Sequence, residues 1–549
     1  MPDKWDVIVV GTGIGGLTAA AMLVQKGLNV LALDRNPHPG GTAYVYTRKG
    51  FTFPMGPLGF STPSTVKETL NKLDGGDLKL SRVQYRIRAF DLEIPLSLPF
   101  LMMIKELTRL FPTEGRSIGQ FFKDVEAIVS AIQFPEVDPF GGAKPRLLRR
   151  GKEAPLRVNP EQARAFRPGS RRVDSNRSIL GKVAEKSALE YLSGFVKDWR
   201  LRRILGSTGT QEPYSSLPLL SAMWNLISNE GIWYPEGGMR SLCERLAHAV
   251  PGRQGNHQGV GEIKLGTEVE EIRVEKNKVL GVTLKDGMEI DSAAVISNAD
   301  YKTTFLRLIK PEAVPDEWNQ AVLNAKQTSS NLQICLGVDA SRVDLSSFKE
   351  ADRLIYRRGQ GDSSEEIDWD ANEIRPEALA GKELEVSLLS KHDRMLGPEG
   401  TEVIVIRTEA EHSHFTRFRP AWRKRVTGYQ DYKMRLGRAL IQEVEKFISG
   451  LEEAILFRDV ATPLTFEEQG GRSGGAVASW SWNYEDRPDT RARELVRTPI
   501  HGLYMAGYQA FSALFMGGIP TAMESGKRAA KAVLQGDGPV EKIMLPVTR

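Results

Sequence analysis

The residues best suited to chemistry in this chain are the glycines of residues 11–16, which read GTGIGG. The residues before them, Trp5–Val10, predict a short buried strand, and those after them, Leu17–Lys26, predict a helix. In such a strand–turn–helix unit, Gly11 permits the tight turn and Gly13 lets the backbone approach a pyrophosphate. The pyrophosphate would then lie at the positive end of the helix.

The elements around this turn complete the pattern of a dinucleotide-binding unit. Gly16 lets the helix pack on the strand, and Asn29–Leu33 predicts a second strand that ends on Asp34. Asp34 follows Gly11 by 23 residues, close to the roughly 20 expected for an acid that holds a ribose 2′-hydroxyl. The pattern therefore predicts a bound dinucleotide, and the alternative is a strand-to-helix turn without a ligand.

The residues after Asp34 favour a flavin dinucleotide. Residues 35–42 (RNPHPGGT) form a proline-broken loop in which the paired Gly40 and Gly41 let backbone amides face a phosphate. Residues 49–57 predict a strand and a second glycine turn. No second glycine fingerprint occurs in the sequence, which argues against a separate NAD(P)H domain.

The C-terminal part of the chain also favours a flavin. Residues 501–507 (HGLYMAG) predict a turn, a short buried strand and a glycine end, and Thr521–Leu534 predicts a helix that Pro520 starts. The N-terminus of such a helix would stabilise the negative charge that reduced flavin carries near N1 and C2=O. The alternative is an ordinary helix that packs on the sheet.

Three further blocks carry a family resemblance: residues 231–239 (GIWYPEGGM), residues 279–300, and residues 461–465 with 474–476. Together with the N-terminal unit they resemble the flavin-dependent phytoene desaturase and carotenoid isomerase superfamily. That superfamily includes the retinol saturases and is more distantly related to the flavin amine oxidases. The blocks stand in the family's order and frame nearly the whole chain.

The resemblance implies a noncovalently held FAD. Under it the cofactor-binding residues are Gly11, Gly13, Ile14, Gly15, Gly16, Asp34, Arg35, Gly40, Gly41, Thr42, Val269, Gly507, Gly518 and Ile519. Val269 would flank the adenine, and the last three would approach the flavin end. The chain departs from the family where Asp34 replaces the more common Glu, where Pro54 replaces an Asp-Thr pair, and where the loop of residues 508–516 is longer.

The substrate pocket of such an enzyme is expected to be apolar and dry, with at most one group that handles a proton. Candidate walls are Trp233, Tyr234, Phe511, Leu514, Phe515 and Met516, and the alternative for each is ordinary core packing. Tyr508 is either a proton donor near the flavin or a helix-packing residue. No metal site is predicted, because His412 and His414 stand at i and i+2 without a third cluster.

The predicted fold class is α/β, with a discontinuous Rossmann-like FAD-binding domain and a second, mixed α+β substrate-binding domain. The first domain is expected to combine residues 1–60, 235–305 and 495–540. The second would combine residues 61–234 and 306–494, with residues 61–230 mostly helical. Strands are expected over Asn331–Val338, Leu384–Leu389 and Glu402–Arg407, with a helix over Tyr429–Leu451.

Composition limits the class of protein. The chain has 549 residues, a net charge of +5 and two cysteines, which predicts several lobes and a reducing, cytoplasmic location without a disulfide framework. A strand that begins near residue 5 leaves no room for a secretory signal, and no apolar run is long enough to span a bilayer.

Two segments suggest peripheral membrane contact. Residues 94–104 are apolar and broken by prolines, and residues 144–182 hold twelve Lys or Arg. Together they would suit attachment to an anionic membrane, whereas a buried helix and a solvated basic face are the alternatives. Phe166 is the only aromatic residue in the basic run, too few for nucleic-acid binding.

The sequence therefore predicts an FAD-dependent oxidoreductase that desaturates, saturates or isomerises carbon–carbon bonds of a hydrophobic isoprenoid or polyene. Its electrons would be exchanged with oxygen, a quinone or transiently bound NAD(P). The alternatives are a flavin amine oxidase and a non-catalytic flavin-binding protein.

Overall fold

The computed structural model describes residues 5–133, 186–206, 216–251, 259–357, 379, 383–481, 493–512 and 518–540. The basic run 144–182 and three of the predicted pocket residues, Leu514, Phe515 and Met516, lie outside the described residues.

A five-stranded parallel sheet, here called the first sheet, contains the N-terminal strand at its centre. The apolar sequence of its central strands fits burial on both faces, which is usual for parallel strands. Its strands, in spatial order, are Leu503–Met505, Ala294–Ser297, Val7–Val10, Val30–Leu33 and Gly261–Lys264.

The order of these strands joins distant parts of the chain. Val7–Val10 pairs with Val30–Leu33 on one side and with Ala294–Ser297 on the other, and the latter pairs with Leu503–Met505. The connections therefore diverge at Val7–Val10, and in open parallel sheets ligands bind at the carboxyl ends of strands at such a point.

A three-stranded antiparallel sheet follows the predicted hairpin. Its strands are Val269–Glu275, Lys278–Leu284 and Glu289–Asp291. The first turn places Lys276 and Asn277 at positive φ, a conformation that Asn adopts more readily than most residues.

A seven-stranded mixed sheet, here called the second sheet, contains the strands expected near residues 331, 384 and 402. Two of its strands, Tyr85–Ala89 and Leu92–Pro95, lie in a region predicted to be mostly helical. In Tyr85–Ala89 every second residue is buried, which is the period of a strand. Its strands, in spatial order, are Ile455–Ala461, Ser330–Asp339, Thr401–Ala410, Leu384–Leu388, Arg353–Arg357, Tyr85–Ala89 and Leu92–Pro95.

Short two-stranded sheets connect these larger ones. The pairs are Val45–Arg48 with Phe51–Pro54, Leu80–Arg82 with Trp233–Pro235, and Arg493–Glu494 with Phe511–Ser512.

The helix Ile14–Gln25, here called the first helix, and the helix Gly518–Gln535, here called the last helix, pack directly on each other. A Cβ on Gly526 of the last helix would lie 2.2 Å from the carbonyl oxygen of Gly15, so only glycine permits this approach. The last helix begins earlier than predicted, and Pro520 falls in its first turn, where its missing N–H costs no hydrogen bond.

The remaining α-helices surround the sheets. The helix predicted over Tyr429–Leu451 is split at residues 446–450, because Gly450 has a φ of +80° and starts a new short helix. The remaining α-helices of the described residues are Pro63–Lys72, Phe100–Leu110, Gly115–Gln133, Ala188–Ser193, Trp199–Leu205, Leu217–Trp224, Gly238–Ala249, Tyr301–Thr303, Asp316–Asn324, Ser413–Thr416, Tyr429–Glu445, Leu451–Ala454 and Pro463–Gly470.

The first sheet thus takes its strands from residues 7–33, 261–297 and 503–505, and the second from residues 85–95, 330–410 and 455–461. The division into two domains at the predicted boundaries stays a prediction. Among the described helices, none is both long and apolar enough to cross a membrane.

Candidate functional site

A cavity of about 510 Å³ lies against the carboxyl end of Val7–Val10 and is lined by residues from the start, middle and end of the chain. It brings together most of the residues assigned to the cofactor from sequence. Those that line it are Gly11, Gly13, Ile14, Gly15, Asp34, Arg35, Gly40, Gly41, Thr42, Val269, Gly507, Gly518 and Ile519, together with Tyr508.

The glycine turn has the geometry that its sequence predicts. Gly11 has a φ of +96°, which side chains rarely tolerate. A Cβ on Gly16 would lie 2.2 Å from the Gly11 carbonyl oxygen, so Gly16 serves the packing of the first helix and does not line the cavity. Among the described residues, the N–H groups of Gly13 and Gly15 have no hydrogen-bond acceptor, which leaves them for a ligand.

Asn298 holds this turn in place, although sequence reasoning did not assign it a role. Its side-chain oxygen accepts a 2.9 Å hydrogen bond from the Gly16 N–H. Hypothetical Cβ atoms on Gly13 and Gly15 would lie 2.5 and 2.8 Å from its amide. Asn298 directly follows the strand Ala294–Ser297, so its place at the carboxyl edge of a parallel sheet was the available signal.

The paired glycines of the loop lie directly against the turn. Gly40 has a φ of +92°, its N–H donates to the Thr12 carbonyl at 2.7 Å, and its Cβ would meet the sulfur of Cys243 at 2.3 Å. Gly41 approaches the backbone of Gly13 so closely that its Cβ would lie 3.3 Å from the Gly13 Cα. The two glycine segments therefore form one continuous backbone surface at the cavity.

Asp34 is buried and its carboxylate is fixed by three hydrogen bonds. One oxygen accepts the Thr12 N–H at 2.7 Å and the Thr12 hydroxyl at 2.8 Å, and the other accepts the Asn36 N–H at 2.9 Å. A carboxylate has about four acceptor sites, so the oxygen that accepts only the Asn36 N–H has one left, and Asp34 lines the cavity. A ligand hydroxyl is therefore compatible with this arrangement.

The C-terminal segment meets the N-terminal turn at Gly507. This residue has a φ of +99°, and its N–H donates to the Ser525 hydroxyl at 2.9 Å. A Cβ on Gly15 would lie 2.6 Å from the Gly507 nitrogen. The N-terminal ends of the first and last helices therefore both face one cavity, and each offers partial positive charge.

Two arginines that the sequence did not single out also line the cavity. Arg472 donates to the Thr42 hydroxyl and to the Val477 carbonyl, both at 2.7 Å. Arg407 donates from Nε to the Gln333 side-chain oxygen at 2.7 Å and from Nη2 to the Gly56 carbonyl. Burial lowers the pKa of both guanidinium groups, and neither forms a salt bridge with a described carboxylate.

Tyr508 lies near Arg472 and the start of the last helix. A Cβ on Gly518 would contact the Tyr508 ring at 4.0 Å, and the charge of Arg472 acts on the phenol. Burial raises the pKa of Tyr508, and Arg472 offsets only part of this rise. At neutral pH the phenol is therefore protonated and can donate a hydrogen bond into the cavity.

Val269 and Glu268 also line the cavity, together with an aromatic residue, Trp422, that sequence reasoning missed. The Arg307 guanidinium lies 5.0 Å from the Trp422 ring centre. Aromatic rings and guanidinium groups can both stack on flat rings such as a nucleotide base.

The described candidates for an apolar substrate wall lie elsewhere. Trp233, Tyr234 and Phe511 do not line this cavity. Trp233–Pro235 pairs with Leu80–Arg82, the Tyr234 ring stacks on His392, and Phe511 packs under the Arg528 guanidinium. Arg35, Arg307, Arg407 and Arg472 also line this cavity, and the assignment of Trp233, Tyr234 and Phe511 to a substrate pocket stays a prediction.

His412 is used within the protein. Its Nε2 lies 2.8 Å from Glu467, and Arg419 donates to the same carboxylate. His414 is buried. Trp480 donates its indole N–H to the Gln509 carbonyl at 3.1 Å.

Comparisons with known proteins agree with this geometry. A sequence model of the family described as flavin containing amine oxidoreductase matches residues 14–396. Prolycopene isomerase 1 from an Oncidium hybrid cultivar is 25% identical over 530 residues, which cover 93% of this chain and 81% of the relative. The inactive all-trans-retinol 13,14-reductase of Danio rerio is also 25% identical, with 94% and 84% covered.

A lycopene-forming phytoene desaturase of Pseudescherichia vulneris is 28% identical over 330 residues, or 59% of this chain and 61% of the relative. These relatives confirm the resemblance to the phytoene desaturase and carotenoid isomerase superfamily that the sequence motifs suggested.

Solved structures share the fold. Putrescine oxidase with bound putrescine superposes with a TM-score of 0.59 at 14% identity, covering 97% of this chain and 99% of that chain. The likeness supports the predicted α/β fold class and concerns the fold alone.

Proposed function

The chain belongs to the family of flavin containing amine oxidoreductases, and from this membership we propose how its cavity works. The predicted cofactor, FAD, and the predicted oxidoreductase activity both agree with that family. We propose that the enzyme desaturates, saturates or isomerises carbon–carbon bonds of a hydrophobic isoprenoid or polyene. The observation that carries the proposal is the single cavity shared by the glycine turn and the start of the last helix.

The residues present fit FAD, because glycines line much of the cavity and leave space that side chains at those positions would fill. The free N–H groups of Gly13 and Gly15 would hold the pyrophosphate, with Gly41 and Thr42 beside it. Asp34 would accept a ribose hydroxyl, and Val269 would flank the adenine. Gly507, Gly518 and Ile519 would surround the flavin end, where the last helix stabilises negative charge.

Bound FAD supplies hydride transfer between its N5 and a substrate carbon. The chain's own residues position both partners and exclude water from the reacting carbon. Tyr508 is the proposed proton donor, because it lines the cavity, its ring lies beside Gly518 and its raised pKa keeps the phenol protonated. Arg472 would keep positive charge beside the same group.

The substrate class is supported by relatives that are named for carotenoids and retinoids. Anaerobic mixing of the protein with phytoene, or of the dithionite-reduced protein with lycopene or retinol, in detergent, followed by product chromatography and flavin absorbance, tests it. We expect a polyene product whose double bonds differ in number or geometry from those of the substrate. Turnover of putrescine or benzylamine with peroxide release in aerated buffer, and of no polyene, would instead identify an amine oxidase.

We also propose that the enzyme is cytoplasmic and attaches to membranes peripherally. In the helix Phe100–Leu110, the adjacent Leu101 and Met102 are 66% and 48% exposed, so two large apolar side chains face solvent side by side. The neighbouring Lys105 is exposed and positively charged. These side chains would enter the interface of an anionic bilayer and give a hydrophobic substrate a route to the enzyme. The exchange partner for electrons is proposed to be oxygen, a quinone or NAD(P).

A further inference from the structure

The second sheet contributes two polar side chains, Asn331 and Arg407, to the cavity. They lie on neighbouring strands, Ser330–Asp339 and Thr401–Ala410. Arg407 pairs directly with Gln333, and Asn331 precedes Gln333 by two residues, so all three side chains project from one face of the sheet. Neither Asn331 nor Arg407 belongs to the residues assigned to FAD.

Arg407 is held in place while part of its guanidinium stays free. Gln333 accepts from its Nε, the Gly56 carbonyl accepts from its Nη2, and the Gln333 amide in turn donates to the Pro54 carbonyl at 3.3 Å. A guanidinium has five N–H donors. Within the described residues, the two N–H groups on Nη1 and the second on Nη2 have no acceptor, and Arg407 faces the cavity.

The charges around Arg407 leave an excess of positive charge. Glu385 stands directly opposite Arg407 on the neighbouring strand, but the two form no salt bridge. The positive charge of Arg353 also acts on Arg407. Tyr85 lies in the same group, and its hydroxyl accepts a 2.6 Å hydrogen bond from Arg353. One carboxylate therefore faces two guanidinium groups, and a cation that is partly removed from water without an ion-pair partner is costly.

We propose that Arg407, assisted by the Asn331 amide, binds an oxygen-bearing end group of the substrate, with a carboxylate preferred. The inference rests on the proposed function and narrows its substrate class. A hydrocarbon polyene would desolvate this guanidinium and give it no acceptor, whereas a polyene or isoprenoid acid supplies two acceptor oxygens in the geometry of the free N–H groups. The substrate is then an isoprenoid chain with a polar terminus.

Retinoic acid and its methyl ester provide a direct test, because they share one carbon chain and differ in charge. Binding of each to the FAD-loaded protein is measured by equilibrium dialysis. A hydrogen bond to a charged group contributes about 1.5–3 kcal/mol, so we expect the acid to bind roughly tenfold or more tightly than the ester. Arg407→Met should remove this difference, and Arg407→Lys should keep part of it because it retains the charge without the fork.

Arg458→Met is the matched control, since Arg458 lies on the strand Ile455–Ala461 of the same sheet, two strands from that of Arg407, and does not line the cavity. This variant should distinguish acid from ester as the wild type does. Equal binding of acid and ester by the wild type, or binding of neither, would overturn the inference. A loss of FAD on Arg407→Met would also overturn it, by assigning Arg407 to the cofactor. The FAD content and the polyene turnover of the wild type test the proposed function separately from this inference.

Discussion

Single backbone positions decide whether this cavity can accept a dinucleotide. Gly13 and Gly15 leave their N–H groups without a described acceptor, and a side chain at either position would press on Asn298. Asn298 also holds the turn, because its side-chain oxygen accepts a hydrogen bond from the N–H of Gly16, the residue after Gly15. The phosphate-binding surface thus depends on glycines near residue 13 and on one amide nearly three hundred residues away.

Gly13→Val should give a folded protein with little FAD. The valine would displace the Asn298 amide and occupy the space of the pyrophosphate, and we expect at least a tenfold loss of affinity, about 1.4 kcal/mol. FAD released by acid and the circular dichroism of the variant measure the two effects. Gly119→Val is the control, because a Cβ on Gly119 has nothing within 4 Å. Full FAD occupancy in Gly13→Val would refute the site assignment.

Asp352 links three segments and should make stability depend on pH. Its carboxylate lies 3.0 Å from Lys391 Nζ, 3.1 Å from His392 Nε2 and 2.7 Å from the Gln84 N–H. Burial alone would raise the pKa of Asp352, but the contact with His392 and the hydrogen bonds from the Gln84 N–H and the Lys391 side chain lower it to about 2.

An unfolded aspartate titrates near pH 3.9, so the interactions of Asp352 stabilise the fold above that pH and are lost as the pH falls toward 2. Asp352→Asn should therefore cost about 2 kcal/mol at pH 7 and progressively less below pH 4. Urea unfolding of both proteins between pH 3 and 8 measures this. A difference that does not change with pH would contradict the assignment.

At the scale of elements, two helices converge on the cavity because small residues let them touch. The last helix approaches the first at Gly526, where a Cβ would lie 2.2 Å from the Gly15 carbonyl oxygen and 3.0 Å from the Thr18 Cβ. Ser525, one residue before, accepts the Gly507 N–H. The contact between the helices therefore also positions the backbone at the flavin end of the proposed site.

Gly526→Val should separate the two helices. Overpacking of a tight contact costs roughly 1–3 kcal/mol, and we expect a lower melting temperature together with a lower FAD content. Lys531→Val, on the exposed side of the same helix, is the control and should change neither. If Gly526→Val is destabilised but keeps its full FAD content, then the packing of the two helices does not control cofactor binding, which would contradict the expectation.

The exposed apolar residues of the helix Phe100–Leu110 should mediate binding to anionic vesicles. Replacing Leu101 and Met102 by Glu removes apolar area and adds negative charge, so co-sedimentation with phosphatidylglycerol vesicles should fall severalfold. Leu323→Glu is the control, because Leu323 is 53% exposed on another helix. Binding of the wild type should weaken with salt. Equal sedimentation of all three proteins would exclude this surface.

At the scale of the whole molecule, local features were predictable from sequence and long-range ones were not. The turn GTGIGG, the second strand ending on Asp34, and the hairpin near Asn277 depend on neighbouring residues, and the structure contains each of them. The strands Tyr85–Ala89 and Leu92–Pro95 were missed, since their short alternating patterns are weak beside the surrounding helices.

Some residues of the candidate site could likewise be predicted from sequence, and others could not. The glycines could be assigned because each carries a conformational requirement that the sequence displays. Arg407, Arg472 and Trp422 could not, because they reach the cavity only through strand order and loop packing between distant segments. Asn298 carried a signal, its position directly after a parallel strand, that sequence reasoning did not use. The assignment of a substrate wall stays a prediction, because aromatic residues such as Trp233 fill space between elements as readily as they line a cavity.

A crystal structure of the purified, FAD-containing protein tests the central claim most directly. We predict one FAD per chain, with its pyrophosphate over Gly13 and Gly15 and its isoalloxazine ring between Gly507 and Gly518. A protein that neither contains FAD nor takes it up, or a flavin bound with its ring away from the start of the last helix, would contradict the account.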